Sequence, residues 1–141
     1  MKPDIKRNDL IYPELSYKLV GYAFEVFNEL GYGHLEKHYQ RAYALLLKKN
    51  NHEFTEQKSY VLKFQNEIIG RDFLDFEVDN KIIVELKRNS FLSKRNVEQI
   101  LEYLKTTDLK LVLLFNFSPN GVMTKRLVNF GAIGNFPVSN K

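Results

Sequence analysis

The chain has no cysteine among its 141 residues. This absence excludes a disulfide-bonded scaffold, a zinc site built from thiolates and a cysteine nucleophile. The N-terminal stretch MKPDIKRNDLIYPEL lacks the apolar centre of a signal peptide, and no apolar run approaches the length of a membrane span. We therefore expect a cytoplasmic protein without a membrane partner.

Glycine and proline are too few for a low-complexity or fibrous chain, and 44% of the residues are hydrophobic, as in globular proteins. The length predicts one domain over residues 1–141, with residues 1–11 and 132–141 as loosely ordered tails. The formal net charge of +4 permits a polyanionic partner such as nucleic acid but does not require one. Any single basic cluster, taken alone, is more typical of a solvated surface.

Hydrophobic spacing predicts the element order α-α-β-β-β-α-β, followed by one further element. The predicted helices span residues 13–30, 35–50 and 94–106, and the predicted strands span residues 54–65, 71–78, 81–88 and 109–117. Residues 122–130 fit either another strand or a short helix. Three strands in succession, then a helix and a buried strand, indicate an α/β (α+β mixed) fold whose mixed sheet has helices on both sides.

The stretch RDFLDFEVDNKIIVELKR, residues 71–88, predicts a hairpin with its turn at Asp79-Asn80. Alternation places Phe73, Asp75 and Glu77 on one face of the first strand, and Leu74, Phe76 and Val78 on the other. In the second strand Ile83, Glu85 and Lys87 share a face. The hairpin thus brings Asp75 close to Glu85, with Lys87 beside them, and such a set can hold a hard divalent cation.

A hairpin with alternating carboxylates is also typical of a strand with one solvated face. Phe73 and Ile83, however, share the face of the acidic residues. An acidic cluster with apolar neighbours is costly to bury without a cation or another partner. From the residues alone, both interpretations remain open.

Other polar residues have structural explanations of equal weight. Glu36 lies in the first turn of a predicted helix, where the helix dipole favours a carboxylate whatever its function. Tyr39 follows it at i+3, on the same side of the helix. Gln99 and Tyr103 form an i, i+4 pair on the next predicted helix. His34 and His38 have a metal-binding spacing, but no third nitrogen or sulfur ligand is nearby, and we expect no metal there.

The chain resembles the PD-(D/E)XK nuclease superfamily in one spacing: Asp75 is followed ten positions later by Glu85-Leu86-Lys87. A helix that carries an acidic residue, Glu36, precedes them. The chain also resembles its GxxExxY branch, whose motif reads Gly33-His34-Leu35-Glu36-Lys37-His38-Tyr39. The helix segment Gln99-Ile100-Leu101-Glu102-Tyr103-Leu104 and a strand ending in Asn116-Phe117 follow in the family's order. The resemblance covers about residues 15–130 and implies a restriction-endonuclease-like αβββαβ core with an extra N-terminal helix.

The resemblance implies hydrolysis of phosphodiester bonds that depends on Mg²⁺, with Mn²⁺ as a substitute. The implied catalytic residues are Glu36, Asp75, Glu85 and Lys87, of which Asp75, Glu85 and Glu36 are the implied metal ligands. Tyr39, Gln99 and Tyr103 are implied to line the substrate pocket. The implied partner is nucleic acid, with DNA favoured over RNA, and a homodimer would allow both strands of a duplex to be cut.

Two further hypotheses stay open at this point. A catalytically silent nuclease-like domain would bind nucleic acid or a protein partner. An unrelated α/β structural protein fits the composition but leaves the ordered motifs unexplained.

Overall fold

A computed structural model describes residues 11–133. The predicted tails fall mainly outside these residues. At their inner ends, the backbone oxygen of Ile11 accepts a hydrogen bond from Ser16, and residues 132–133 belong to a short helix.

Four helices and five strands make up the described chain. The helices are α1 (Pro13–Leu30), α2 (Glu36–Lys49), α3 (Lys94–Leu104) and α4 (Phe130–Ile133). The strands are β1 (Phe54–Phe64), β2 (Glu67–Val78), β3 (Ile82–Lys87), β4 (Leu111–Ser118) and β5 (Gly121–Val128). The order predicted from the sequence is confirmed, and the open last element is a strand followed by a single helical turn.

The five strands form one mixed sheet in the order β1-β2-β3-β4-β5. The pairs β1–β2, β2–β3 and β4–β5 are antiparallel, whereas β3 and β4 run parallel because α3 connects them. A parallel pair needs such a crossover, since a tight turn reverses the chain. β4 is the strand with the apolar run, and all eight of its residues are buried.

Each face of the sheet carries its own apolar cluster. On one face α1 and α2 contribute Leu19, Ala23, Tyr43 and Leu47. On the other face α3 contributes Ile100 and Leu104, which pack with Ile83, Val112 and Leu114 of the sheet. The prediction of a mixed sheet with helices on both sides is therefore confirmed. Within residues 11–133, none of the helices has the length and apolar character needed to cross a membrane.

The turn between β2 and β3 is held in place from α1. Asp79 and Asn80 have φ values of 53° and 56°, a left-handed conformation that Asp and Asn tolerate better than most residues. A carboxylate oxygen of Asp79 lies 2.9 Å from the ring of His52, whose other nitrogen lies 2.8 Å from the Tyr22 hydroxyl. This chain of side chains links the hairpin turn to the helical layer.

The predicted alternation along β2 is wrong at one position. Phe76 and Val78 pack on the α1/α2 side, but Leu74 packs on the α3 side, although an unbroken strand would place all three together. The β1–β2 ladder omits a Gln57–Asp75 pair, and Gln57 has a φ of 52°. The strand is therefore irregular at Asp75.

Candidate active site

Asp75 and Glu85 meet where β2 and β3 cease to pair. The β2–β3 ladder ends at the pair Phe76–Val84. One residue further, the backbone N–H of Asp75 donates to Oε1 of Glu85 at 2.9 Å, and the N–H of Leu86 donates to Oδ2 of Asp75 at 2.8 Å. The two carboxylates thus replace backbone carbonyls as acceptors, and each is fixed to the opposite strand.

Two glutamine side chains complete the environment of Asp75. Nε2 of Gln40 donates to Oδ1 of Asp75 at 2.9 Å, and Nε2 of Gln57 donates to the same oxygen at 3.3 Å. Gln40 belongs to α2 and Gln57 to β1, so three elements converge on one carboxylate. Because these donors fix the carboxylate from two sides, Asp75 has little rotational freedom.

Lys87 supplies the positive charge of the site. Its Nζ lies 3.4 Å from Oε2 of Glu85, and its side chain is 24% exposed. Burial lowers the pKa of Lys87, but the neighbouring carboxylates of Glu85, Glu36 and Asp75 outweigh burial and raise it. Lys87 is therefore a permanent cation at neutral pH.

Glu36 is the first residue of α2, where the sequence places it. Its negative charge acts on both Asp75 and Lys87, raising the pKa of each. The structure thus brings Glu36 into the electrostatic range of the hairpin residues. The centre of the site is formed by residues in direct contact, Asp75, Glu85 and Lys87, and Glu36 lies at its edge.

Burial makes the carboxyl groups of Asp75 and Glu85 harder to ionise. Asp75 and Glu85 are each only 6% exposed. Burial, then the negative charge of Asp75, raises the pKa of Glu85 to about 8. Burial also raises the pKa of Asp75, against the hydrogen bonds from Leu86 and Gln57, which lower it. Two negative charges at this depth are costly unless a proton or a cation neutralises one of them.

The chemistry of these donors fits a hard divalent cation. Mg²⁺ binds through one or two protein carboxylates and completes its shell with water and substrate oxygens. Asp75 and Glu85 supply two carboxylates. When both are ionised, the single positive charge of Lys87 does not neutralise them. Among residues 11–133, no group of three or more His, Cys, Asp or Glu side chains is arranged to hold a metal ion.

Tyr39 lies in the core rather than beside the carboxylates. Its ring is fully buried and stacks on Phe117, with 4.4 Å between the ring centroids. Its hydroxyl donates to the carbonyl of Gly31 at 2.6 Å and accepts from the N–H of His34 at 3.3 Å. Tyr39 therefore holds the loop that leads into Glu36, and its effect on the site is through that loop.

Gln99 and Tyr103 lie on α3, on the other side of the sheet from α2. Gln99 is exposed, whereas Tyr103 is partly buried against the α3-side cluster. The Tyr103 hydroxyl points to β2 at Gly70, where an added Cβ would lie 3.6 Å from it. In the part of the chain that the structure describes, no hydrogen bond joins either side chain to Asp75, Glu85 or Lys87.

Gln40 and Gln57 were not predicted as site residues. Gln40 had a usable signal, since it lies four residues after Glu36 and therefore on the same side of α2. Gln57 had none, because only the irregular pairing of β1 with β2 turns its amide towards Asp75.

One of three comparisons with known proteins matches almost all of the described chain. A family model described as the PD-(D/E)XK nuclease superfamily matches residues 13–132, which include every residue of the candidate site. No curated protein and no solved structure matches the chain.

Proposed function

Because the chain belongs to the PD-(D/E)XK nuclease superfamily, we propose that it is a Mg²⁺-dependent nuclease. Its substrate is DNA, with RNA as the alternative, and the reaction is hydrolysis of a phosphodiester bond by water. The observation that carries this proposal is the buried pair Asp75–Glu85 with Lys87 at 3.4 Å from Glu85. A purely structural strand gains nothing from two buried carboxylates side by side.

In this proposal Asp75 and Glu85 hold the cation, and Glu36 contributes a third carboxylate directly or through water. The cation, when bound, lowers the pKa of water and offsets negative charge that develops on the phosphate. Lys87 orients the attacking water and stabilises the transition state as a fixed cation. Gln40 and Gln57 hold Oδ1 of Asp75, which keeps that carboxylate in one orientation during the reaction.

We also place the chain in the GxxExxY branch of the superfamily. The conformation of the motif residues supports this placement. Gly33 has a φ of 109°, Glu36 begins α2, and the Tyr39 hydroxyl donates to the carbonyl of Gly31 in the loop before α2. Each named position of the motif thus has a separate physical role. The cytoplasmic location and the homodimer remain predictions.

A catalytically silent domain that binds nucleic acid or a protein is the second candidate. One observation favours it: both oxygens of Asp75 already accept hydrogen bonds from the chain. Those donors satisfy the carboxylate without a cation.

Calorimetric titration of Mn²⁺ separates the two candidates without a choice of substrate. We expect saturable binding to the wild type and its loss in the double variant Asp75→Asn, Glu85→Gln. The double variant Glu29→Gln, Glu102→Gln replaces two exposed helix carboxylates with amides and should bind like the wild type. Cleavage of single-stranded DNA, duplex DNA and RNA is then measured with Mg²⁺.

Equal heats for the wild type and the site variant, repeated with a short DNA present to complete the coordination, would exclude the metal site and favour the silent domain. Binding without cleavage of any of the three substrates would also contradict the nuclease.

A further inference from the structure

An open groove lies between the start of α3 and the edge strand β5. It has a volume of about 480 Å³ and is lined by Phe91, Leu92, Lys94, Val97, Met123, Thr124 and Lys125. Phe91 is 71% exposed and Met123 is 52% exposed. No acidic side chain is among these described lining residues, and two of them are lysines.

The loop that carries Phe91 is anchored at both ends. The fully buried side chain of Asn116 accepts from the N–H of Asn89 at 2.9 Å and donates to the carbonyl of Asn89 at 3.0 Å. At the other end Ser93 caps α3 by accepting from the N–H of Asn96. A short segment fixed at Asn89 and Ser93 therefore holds the exposed Phe91 ring at the groove.

The groove lies two strands away from Lys87 in the sheet. Lys87 pairs with Asn116 of β4, and Asn116 pairs with Met123 of β5. Adjacent strands are about 4.8 Å apart, so the backbone of Met123 lies roughly 10 Å from that of Lys87. Leu127 packs on the α3 side of the sheet, and β5 alternation places Lys125 and Met123 on that side as well.

We infer that this groove binds a single-stranded segment of the nucleic acid substrate, a few nucleotides away from the bond that the candidate site cuts. The Phe91 ring stacks on a base, and Lys94 and Lys125 contact the phosphates on either side of it. This inference rests on the proposed function for the position of the strand relative to the cut bond. The stacking and the phosphate contacts do not depend on the proposed function. A stacking ring between cations is how proteins bind single strands without reading their sequence.

The charge of the groove selects this occupant over a second copy of the chain or another protein. A protein partner would have to place acidic groups opposite both lysines and an apolar group between them. A nucleic acid strand supplies a flat apolar base and regularly spaced negative phosphates, which match both the ring and the lysines.

Fluorescence anisotropy tests the groove with a labelled single-stranded DNA of about 12 nucleotides, in EDTA so that no cleavage occurs. We expect Phe91→Ala to weaken binding by at least about 5-fold, and Phe91→Tyr to retain it, because tyrosine also stacks. We expect the double variant Lys94→Gln, Lys125→Gln to reduce the slope of log K against log salt by about 1.4, since each phosphate contact in a single strand contributes about 0.7.

Two matched controls separate the groove from general surface effects. Tyr17→Ala removes an aromatic ring that is 82% exposed on α1. The double variant Lys48→Gln, Lys49→Gln removes two exposed charges at the end of α2. Both controls should leave affinity and salt slope as in the wild type. All variants are first compared with the wild type by thermal unfolding.

Unchanged affinity in Phe91→Ala, equal losses in the groove variants and the controls, or no DNA binding by the wild type would each overturn the inference. Association of the wild type with itself that Phe91→Ala abolishes, measured by sedimentation, would assign the groove to a second copy instead. The Mn²⁺ titration is independent of these results. Groove-dependent DNA binding without Mn²⁺ binding would support the groove while contradicting the nuclease.

Discussion

Asp75 and Glu85 are joined by a hydrogen bond of 2.9 Å from the backbone N–H of Asp75 to a side-chain oxygen of Glu85. The reverse connection is equally direct, because the N–H that follows Glu85, that of Leu86, donates to the carboxylate of Asp75. The carboxylates therefore extend the pairing of β2 and β3 past its last backbone bridge. They cannot separate without breaking bonds to the strands themselves, which gives the site a fixed geometry.

The carboxylate pair makes stability depend on pH. The pKa of Glu85 is about 8 in the folded chain, and that of Asp75 is also raised, both because of burial. The folded state keeps a proton that the unfolded state loses, so the free energy of unfolding should fall as pH rises between about 4.5 and 8. Each pKa unit corresponds to about 1.4 kcal/mol, so the fall attributable to Glu85 should reach a few kcal/mol.

Urea unfolding in chelator at pH 5, 6, 7 and 8 measures this fall. Glu85→Gln should flatten the profile and be the more stable protein at pH 8. Glu102→Gln changes an exposed carboxylate and should keep the wild-type slope. A wild-type profile parallel to that of Glu85→Gln would mean that Glu85 is ionised in the folded state at neutral pH.

Lys87→Met should abolish cleavage and preserve Mn²⁺ binding, because methionine keeps the bulk of the side chain but removes the fixed cation. Lys87 lowers the pKa of Glu85, so its removal should also shift the pH midpoint of Mn²⁺ binding upwards. Lys58→Met is the matched control, since Lys58 lies at the same distance, 3.4 Å, from Glu77 outside the site. Loss of Mn²⁺ binding along with cleavage would assign Lys87 a structural role.

Gln40→Leu should weaken Mn²⁺ binding by roughly 10-fold or more, the usual effect of removing a group that orients a metal ligand. Leucine has a similar size but cannot donate to Asp75. Arg41→Leu alters the next, exposed residue of α2 and should leave the dissociation constant unchanged. If Gln40→Leu binds Mn²⁺ like the wild type, then the other donors to Asp75 are sufficient to orient it.

Asn116→Asp should loosen the loop from Asn89 to Ser93. The new carboxylate still accepts from the N–H of Asn89 but faces the carbonyl of Asn89 without a proton to donate, at a cost of about 1–3 kcal/mol. Hydrogen exchange should become faster at residues 89–92, and DNA binding in EDTA should weaken.

Asn129→Asp provides the comparison, because the Asn129 amide also donates to backbone carbonyls, those of Leu104, Thr107 and Leu109. It should lower stability similarly without faster exchange at residues 89–92. Equal exchange at residues 89–92 in the two variants would show that general destabilisation, rather than the lost anchor, explains the result.

The sequence by itself determined the elements and the centre of the site. Helices and strands follow the spacing of apolar residues, which is a local property: α1 spans the predicted residues 13–30, and β4 contains most of the nearly continuous apolar run. The turn contains Lys81 in addition to Asp79 and Asn80, because Val78 pairs with Ile82, and one step beyond the pair Phe76–Val84 lie Asp75 and Glu85. Neighbouring residues thus predicted that the two carboxylates lie close together, but a turn of two residues would pair Asp75 with Val84, so the three-residue turn decided the exact register.

The tertiary structure decided what surrounds that pair. Gln40 and Asp75 are 35 residues apart, and Asn89 and Asn116 are 27 apart, so no local periodicity relates them. The irregular strand at Asp75 depends on how β1 pairs with β2 opposite Gln57. Tyr39 was predicted to line a pocket, but helix packing places its ring in the core and its hydroxyl on the loop before Glu36. Local sequence specifies which backbone conformations are favourable, whereas the packing of distant segments determines which polar groups meet.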